Sequence, residues 1–327
     1  MHFWIRFILI VGIAMGCGCG LRPLERSGEA SFIGEKRWQS TDGFTHTYQV
    51  WEQSKQPKAA WILVHGFAGA ASDLTPLAEA ASDWGDVVYA INLRGMGPDV
   101  DTDLKGDVES PFEWPRDLGE FMRLVAEQHP ETPIYLVGES LGVSITIVSL
   151  YRDPNETVPL AGVVMLSPVV EFGLEATALQ RFMGQIFLTL VPTRRINLVD
   201  LGDEQGVEER PPITPLPEEQ KALEEAPHRI DEVTLRFLVS SIELVNSTEP
   251  LVESISGVPR LIAYGGKDAF IPAARIDEFA GAVTDLEGPT EVIFYPEGHH
   301  LLLRDYPKED LLVEIESWRF GVAEAEE

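Results

Sequence analysis

Hydrophobic positions divide the chain into segments of two distinct periods. Over residues 44–52 apolar and polar side chains alternate, with Phe44, His46, Tyr48 and Val50 on one side, which predicts a half-exposed antiparallel strand. Residues 59–64, 87–91, 134–137 and 160–166 are unbroken apolar runs of strand length, as expected of strands buried on both faces of a parallel sheet. Helical spacing fills the intervals at 74–84, 114–128 and 141–152. This alternation predicts an α/β protein built on a doubly wound, mostly parallel central sheet. The rhythm stops after Ser167 and Pro168, then resumes with a strand at 260–264, a helix at 273–283, a strand at 291–295 and a last helix at 307–320.

The interruption holds an apolar helical stretch around Phe182, Ile186, Phe187 and Leu190, a Pro- and Glu-rich loop, and a second amphipathic helix at 233–244. A segment that leaves a sheet and returns to it reads as an inserted cap. The expected organisation is a leader at 1–20, a polar tether at 21–39, a core formed by 40–169 and 258–321, a cap or lid at 170–257, and an acidic tail at 322–327.

The leader changes the expected compartment. Arg6 is followed by an apolar run at 7–15, too short to span a bilayer comfortably, and then by Gly16-Cys17-Gly18-Cys19-Gly20, the layout of a secretory signal. Ala14-Met15-Gly16-Cys17 resembles a bacterial lipoprotein processing site, with Cys17 as the lipidated residue. Export to the bacterial cell envelope, with lipid anchoring and a membrane surface as partner, is the resulting expectation. Both cysteines of the chain lie in this leader, so the folded body has no disulfide, Cys-built metal site or Cys nucleophile. The chain carries 25 Lys and Arg against 53 Asp and Glu, a net charge of −28, which argues against nucleic acid as a partner because phosphate backbones are bound by cations.

Candidate chemistry centres on Gly138-Glu139-Ser140-Leu141-Gly142, which directly follows one predicted strand and directly precedes an apolar helix. A tight strand-to-helix turn of this kind projects a nucleophilic serine, and its glycines remove side chains that would collide. A serine hydroxyl needs a base and a carboxylate to orient that base. Of seven histidines, His299 and His300 follow the last predicted strand, where a base would emerge beside Ser140. Asp268, in Gly265-Gly266-Lys267-Asp268, follows the preceding strand and supplies the carboxylate; the order Ser, Asp, His is that of the α/β-hydrolases. The oxyanion hole is assigned to the backbone N–H groups of Phe67, in His65-Gly66-Phe67-Ala68-Gly69, and Leu141. His65 then supports that loop. Neither a cofactor nor a metal is expected, since His299 and His300 lack ligand spacing with a further His or carboxylate.

His65-Gly66-Phe67, Arg94-Gly95-Met96-Gly97, the Ser140 motif, the Tyr264–Pro272 segment and Gly298-His299-His300-Leu301-Leu302 together resemble the monoacylglycerol lipase and lysophospholipase-like branch of the α/β-hydrolases, often grouped with the serine aminopeptidases. The resemblance covers residues 40 to 320 and implies an α/β-hydrolase fold with a helical cap. It aligns His300 with the catalytic histidine, and so implies the triad Ser140, Asp268 and His300. Asn92 departs from the Asp that precedes the family's Arg-Gly turn, and Met96 stands where His or an aromatic is common.

The expected reaction is hydrolysis of a lipid-like carboxylic ester, a monoacylglycerol or lysophospholipid, with Phe182, Ile186, Phe187 and Leu190 covering an acyl chain. One alternative is an aminopeptidase or amidase using Glu208, Glu209, Glu218 or Glu224 to hold a substrate ammonium. A second is a non-catalytic envelope binding protein on the same scaffold, which an intact triad argues against.

Overall fold

The computed structural model describes residues 23–326, apart from 99, 102, 152–157, 171–185 and 199–211. Its strands are β1 (Ser31–Phe32), β2 (Arg37–Gln39), β3 (Thr45–Glu52), β4 (Ala60–Val64), β5 (Val87–Ile91), β6 (Ile134–Glu139), β7 (Gly162–Leu166), β8 (Arg195–Asn197), β9 (Glu232–Thr234), β10 (Arg260–Gly265) and β11 (Thr290–Tyr295). The helices are α1 (Thr75–Asp83), α2 (Glu113–Gln128), α3 (Leu141–Tyr151), α4 (Pro217–Glu224), α5 (Leu235–Asn246), α6 (Ala273–Thr284) and α7 (Lys308–Glu326).

Among the described residues nine strands form one sheet in the order β1-β2-β3-β5-β4-β6-β7-β10-β11. From β5 to β11 every pairing is parallel, whereas β3 joins β5, and β1 and β2 join β3, in antiparallel fashion. This is the α/β-hydrolase architecture, with a mostly parallel sheet flanked by helices. Every residue of β4, β5, β6, β7 and β10 is buried, which is why these strands read as unbroken apolar runs. One face of the sheet is covered by α2, α3 and α6, through Trp114, Phe121, Val143 and Phe279, and the cap helix α5 adds Phe237 to the same cluster. The other is covered by α1 and α7, through Leu77, Ala81, Ile315 and Trp318. Helix α3 buries all but one of its residues and so has no polar stripe.

Three boundaries differ from the sequence reading. Residues 23–39 are not a free tether: β1 and β2 extend the sheet, Trp38 is buried, and Arg26 pairs with Glu113, Asp117 and Glu120 on α2. The sequence shows Arg26 as one cation in a polar stretch, and only the fold brings three buried carboxylates to it. Residues 322–326 continue α7 rather than forming a separate tail, because Ala and Glu favour helix and Val322 packs into the core. The second cap helix begins at Leu235, since Glu232–Thr234 pairs with Arg195–Asn197; the Thr234 hydroxyl then caps the helix by accepting the Phe237 N–H at 3.2 Å.

No described helix is long and apolar enough to cross a membrane. Cys17 and the rest of the segment expected to be a leader lie outside the described residues.

Candidate active site

Ser140 stands at the turn between β6 and α3 with φ of 55°, a left-handed conformation costly for a residue with a Cβ. The surroundings hold it there. Its N–H donates to Leu166 O at 2.9 Å, its carbonyl accepts the Val143 N–H at 3.0 Å, and a Cβ at position 142 would collide with the Val64 carbonyl. Glycine at 142 therefore lets α3 start directly against β4, which presents the serine at the C-terminal edge of the sheet.

The loops after β10 and β11 bring two more side chains to that point. His300 Nε2 lies 2.9 Å from Ser140 Oγ, and His300 Nδ1 lies 2.7 Å from Asp268 Oδ2. A carboxylate only accepts, so Nδ1 carries the proton and Nε2 is left to accept from the serine hydroxyl. Asp268 Oδ1 accepts the N–H groups of Phe270 and Ile271 at 2.8 and 3.2 Å, and the carboxylate is wholly buried. The Phe270 ring lies against the His300 imidazole with centroids 4.9 Å apart. His299 is engaged elsewhere, by Asp305.

The loop after β4 closes the other side. A Cβ on Gly66 would lie 3.0 Å from Ser140 Cβ and 3.5 Å from Oγ, so a glycine there keeps the space beside the hydroxyl open. His65 supports this loop from below. Burial pushes its pKa down to about 4, leaving a neutral ring at pH 7 whose Nδ1 donates to Gly66 O at 2.8 Å and whose Nε2 accepts the Leu93 N–H at 3.2 Å. The Phe67 N–H has no hydrogen-bond acceptor among the described residues. Leu141 opens α3, where a backbone N–H has no carbonyl one turn back. Both donors assigned to an oxyanion are thus unspent. Phe67 packs its ring edge-on against Phe237 of the cap.

Asn92 is held at both ends of its amide: Oδ1 accepts the Ala71 N–H and Nδ2 donates to Thr47 Oγ1, each at 2.8 Å, and an Asp here would keep the first bond while the Thr47 hydroxyl would have to turn and donate for the second. Arg94 is structural, paired with Asp42 and Asp117, and Met96 is fully buried.

Of the residues read as covering an acyl chain, Phe182 lies outside the described set. Ile186 and Leu190 are exposed, and Phe187 packs against Leu188, Leu235 and Val239. Glu208 and Glu209 also lie outside the described residues. Glu218 and Glu224 sit on α4, which buries none of its residues. Among the described residues no group of three or more His, Cys, Asp or Glu side chains could hold a metal ion.

Two features escaped the sequence reading. Burial, with the charge of Asp73 adding to it, pushes the Glu139 carboxyl up to about 8, so a neutral acid precedes the nucleophile. Asp73 itself joins Arg304 and His228 in a largely buried cluster against the loop at 65–70. Neither residue shows periodicity or spacing by which it could have been found.

Fold and site together define a serine-centred α/β-hydrolase. The family model for serine aminopeptidase S33 matches residues 55–307, and the chain belongs to that family. It is 22% identical over 293 residues to a monoglyceride lipase from Rattus norvegicus, covering 88% of this chain and 83% of that one. With a monoacylglycerol lipase from Mycolicibacterium smegmatis it shares 21% identity over 284 residues, covering 87% of this chain and 96% of the relative. Among solved structures, a thermostable carboxyl esterase from Bacillus coagulans in complex with glycerol superposes with a TM-score of 0.76 at 17% identity, covering 88% of this chain and 97% of the other. A soluble variant of monoglyceride lipase from Saccharomyces cerevisiae, in complex with a substrate analogue, gives 0.71 at 15% identity, with 92% and 96% covered.

Proposed function

We propose that this protein hydrolyses carboxylic esters of the monoacylglycerol or lysophospholipid kind through an acyl-enzyme on Ser140. The observation that carries this reading is the continuous chain Ser140 Oγ, His300, Asp268 at 2.9 and 2.7 Å, ending in the space that Gly66 leaves open. His300 takes the serine proton as Oγ attacks the ester carbonyl, and Asp268 stabilises the resulting imidazolium. The N–H groups of Phe67 and Leu141 receive the oxyanion. His300 then protonates the departing alcohol, and a water activated by the same ring releases the acid. Relatives named as monoacylglycerol lipases and the apolar ring of Phe67 beside the cap support a lipid-like acyl group.

Export and lipidation at Cys17 would bring such an enzyme to the bacterial envelope and its lipids. The experiment is a panel of p-nitrophenyl esters, monoacylglycerols, lysophospholipids and aminoacyl amides, run with the wild type and Ser140→Ala. Ester turnover that vanishes in the variant, together with a fluorophosphonate adduct on wild-type Ser140, supports the reading. Amide turnover exceeding ester turnover, or full activity in Ser140→Ala, removes it.

A further inference from the structure

Asp73 lies outside the chain of Ser140, His300 and Asp268, yet it is bonded to the segments on both sides of it. Its Oδ2 accepts the Ala70 N–H at 2.8 Å and so closes the loop that begins at His65 and carries Phe67. Its Oδ1 accepts from Arg304, four residues beyond His300, at 2.9 Å. The same oxygen lies 3.3 Å from Nε2 of His228, in the cap segment that leads into β9. Arg304 reaches onward to Glu219 on α4 at 2.8 Å, and its carbonyl accepts the Thr214 hydroxyl at 2.5 Å. The Leu301 N–H, next to the catalytic imidazole, donates to Ile213 O at 3.1 Å.

A carboxylate in this position has to be ionised to hold two cationic or donor partners. Burial opposes its charge, but the hydrogen bond from His228 and the field of Arg304 outweigh that and hold Asp73 below the usual carboxylate range. Its cost is visible next door, where Asp73 helps to keep Glu139 protonated.

The geometry points to Asp73 as a positioning residue for acyl transfer, setting the separation between the Phe67 loop and the His300 loop and tying it, through His228 and Arg304, to the seating of cap residues 212–230. Proton transfer and oxyanion stabilisation are both steep functions of distance, so a displacement of about 1 Å costs on the order of 10²-fold in rate. Residues that merely glue a fold together have no such effect on each folded molecule. The inference rests on the ester-hydrolase reading of Ser140.

The test compares Asp73→Asn, Arg304→Gln, His228→Gln and the Asp73→Asn/Arg304→Gln double variant in the full-length protein. For each, kcat, KM, the rate of fluorophosphonate inactivation and the thermal midpoint are measured. Asp73→Asn and Arg304→Gln are expected to lower kcat and the inactivation rate together by 10- to 100-fold, with KM within about 3-fold of wild type. The double variant is expected to be no slower than the worse single one, because both act through the same contact. His228→Gln keeps the link between the two loops and is expected to lose 3- to 10-fold. Inactivation rates within 2-fold of wild type in folded Asp73→Asn, or losses that multiply in the double variant, overturn the inference. Should Asp73→Asn fail to fold, Arg304→Gln and His228→Gln decide the matter by the same limits. Wild-type protein that forms no adduct on Ser140 instead overturns the hydrolase reading.

Discussion

His299 spends both its backbone N–H and its ring Nδ1 on Asp305 Oδ2, at 2.6 and 3.1 Å. Its neighbour His300 is thereby the imidazole within reach of Ser140. Replacing His300 by Ala is expected to cost as much as Ser140→Ala, on the order of 10³-fold or more in kcat. His299→Ala is expected to cost less than about 10-fold and to act through the loop geometry. Steady-state kinetics on one soluble ester check the ranking, and the reverse order would assign the base to His299.

Glu139 makes stability depend on pH in an unusual direction. Its folded pKa of about 8 lies above the ordinary value of 4.5, so between those limits the folded state binds a proton that the unfolded state has lost. Stability from this group is present below pH 4.5 and declines by up to about 1.4 kcal/mol per pH unit until the folded carboxyl ionises near 8. Glu139→Gln is expected to abolish this decline and to be more stable than wild type at pH 8. Urea titrations at pH 5, 6.5 and 8 measure it, and parallel pH dependences in the two proteins would contradict it.

The buried histidines act in the opposite sense. Burial, the largest influence on each, pushes His46 and His65 down to about 4, below their ordinary value of 6.5. Both rings are then neutral in the folded protein while the unfolded chain takes up protons, so stability is lost as pH falls from 6.5 to 4. His65→Gln is expected to flatten part of this acid limb, and an unchanged limb would show that His65 is protonated in the fold.

Arg26 is a structural member of the fold although the sequence places it in a polar stretch that reads as a tether. Its guanidinium meets Glu113, Asp117 and Glu120 at 2.6 to 2.7 Å, with all four side chains almost fully buried. Removing one partner of such a cluster leaves uncompensated buried charge and costs about 3 to 5 kcal/mol. A chain starting at residue 31 is therefore expected to be less stable by several kcal/mol than one starting at residue 23. Equal denaturation midpoints for the two truncations would count against this.

Arg260 is buried at the start of β10, with no carboxylate among the described residues paired to it. It donates instead to the carbonyls of Ile255, Glu287 and Gly288 at 2.7 to 2.9 Å and to Thr290 Oγ1 at 3.1 Å. A planar fork of donors can hold these turns together, and an ammonium cannot. Arg260→Lys is expected to cost about 2 to 3 kcal/mol in chemical denaturation, with kcat per folded molecule unchanged. A loss of kcat at full stability would contradict it.

Much of the architecture was legible because it is written in local pattern. The run at 87–91 is β5 residue for residue, and the run at 134–137 is β6 short of two positions. Those two, Gly138 and Glu139, look like the beginning of a turn, but the register pairs them with Met165 and Leu166 in β7. The strand-turn-helix context of Ser140, the glycines around it, and Asp268 and His300 after successive strands were likewise readable, since each depends on a few neighbouring residues.

The sequence by itself determined the alternation of strand and helix, the nucleophile turn and the chain order of the reacting groups. Tertiary structure decided that His299 is held by Asp305, that Arg26 belongs to the body, that Glu139 is neutral and that Asp73 joins three segments. Periodicity is fixed within one turn or one strand. The state of a buried charge depends instead on partners 20 to more than 200 positions away, gathered where water no longer screens them.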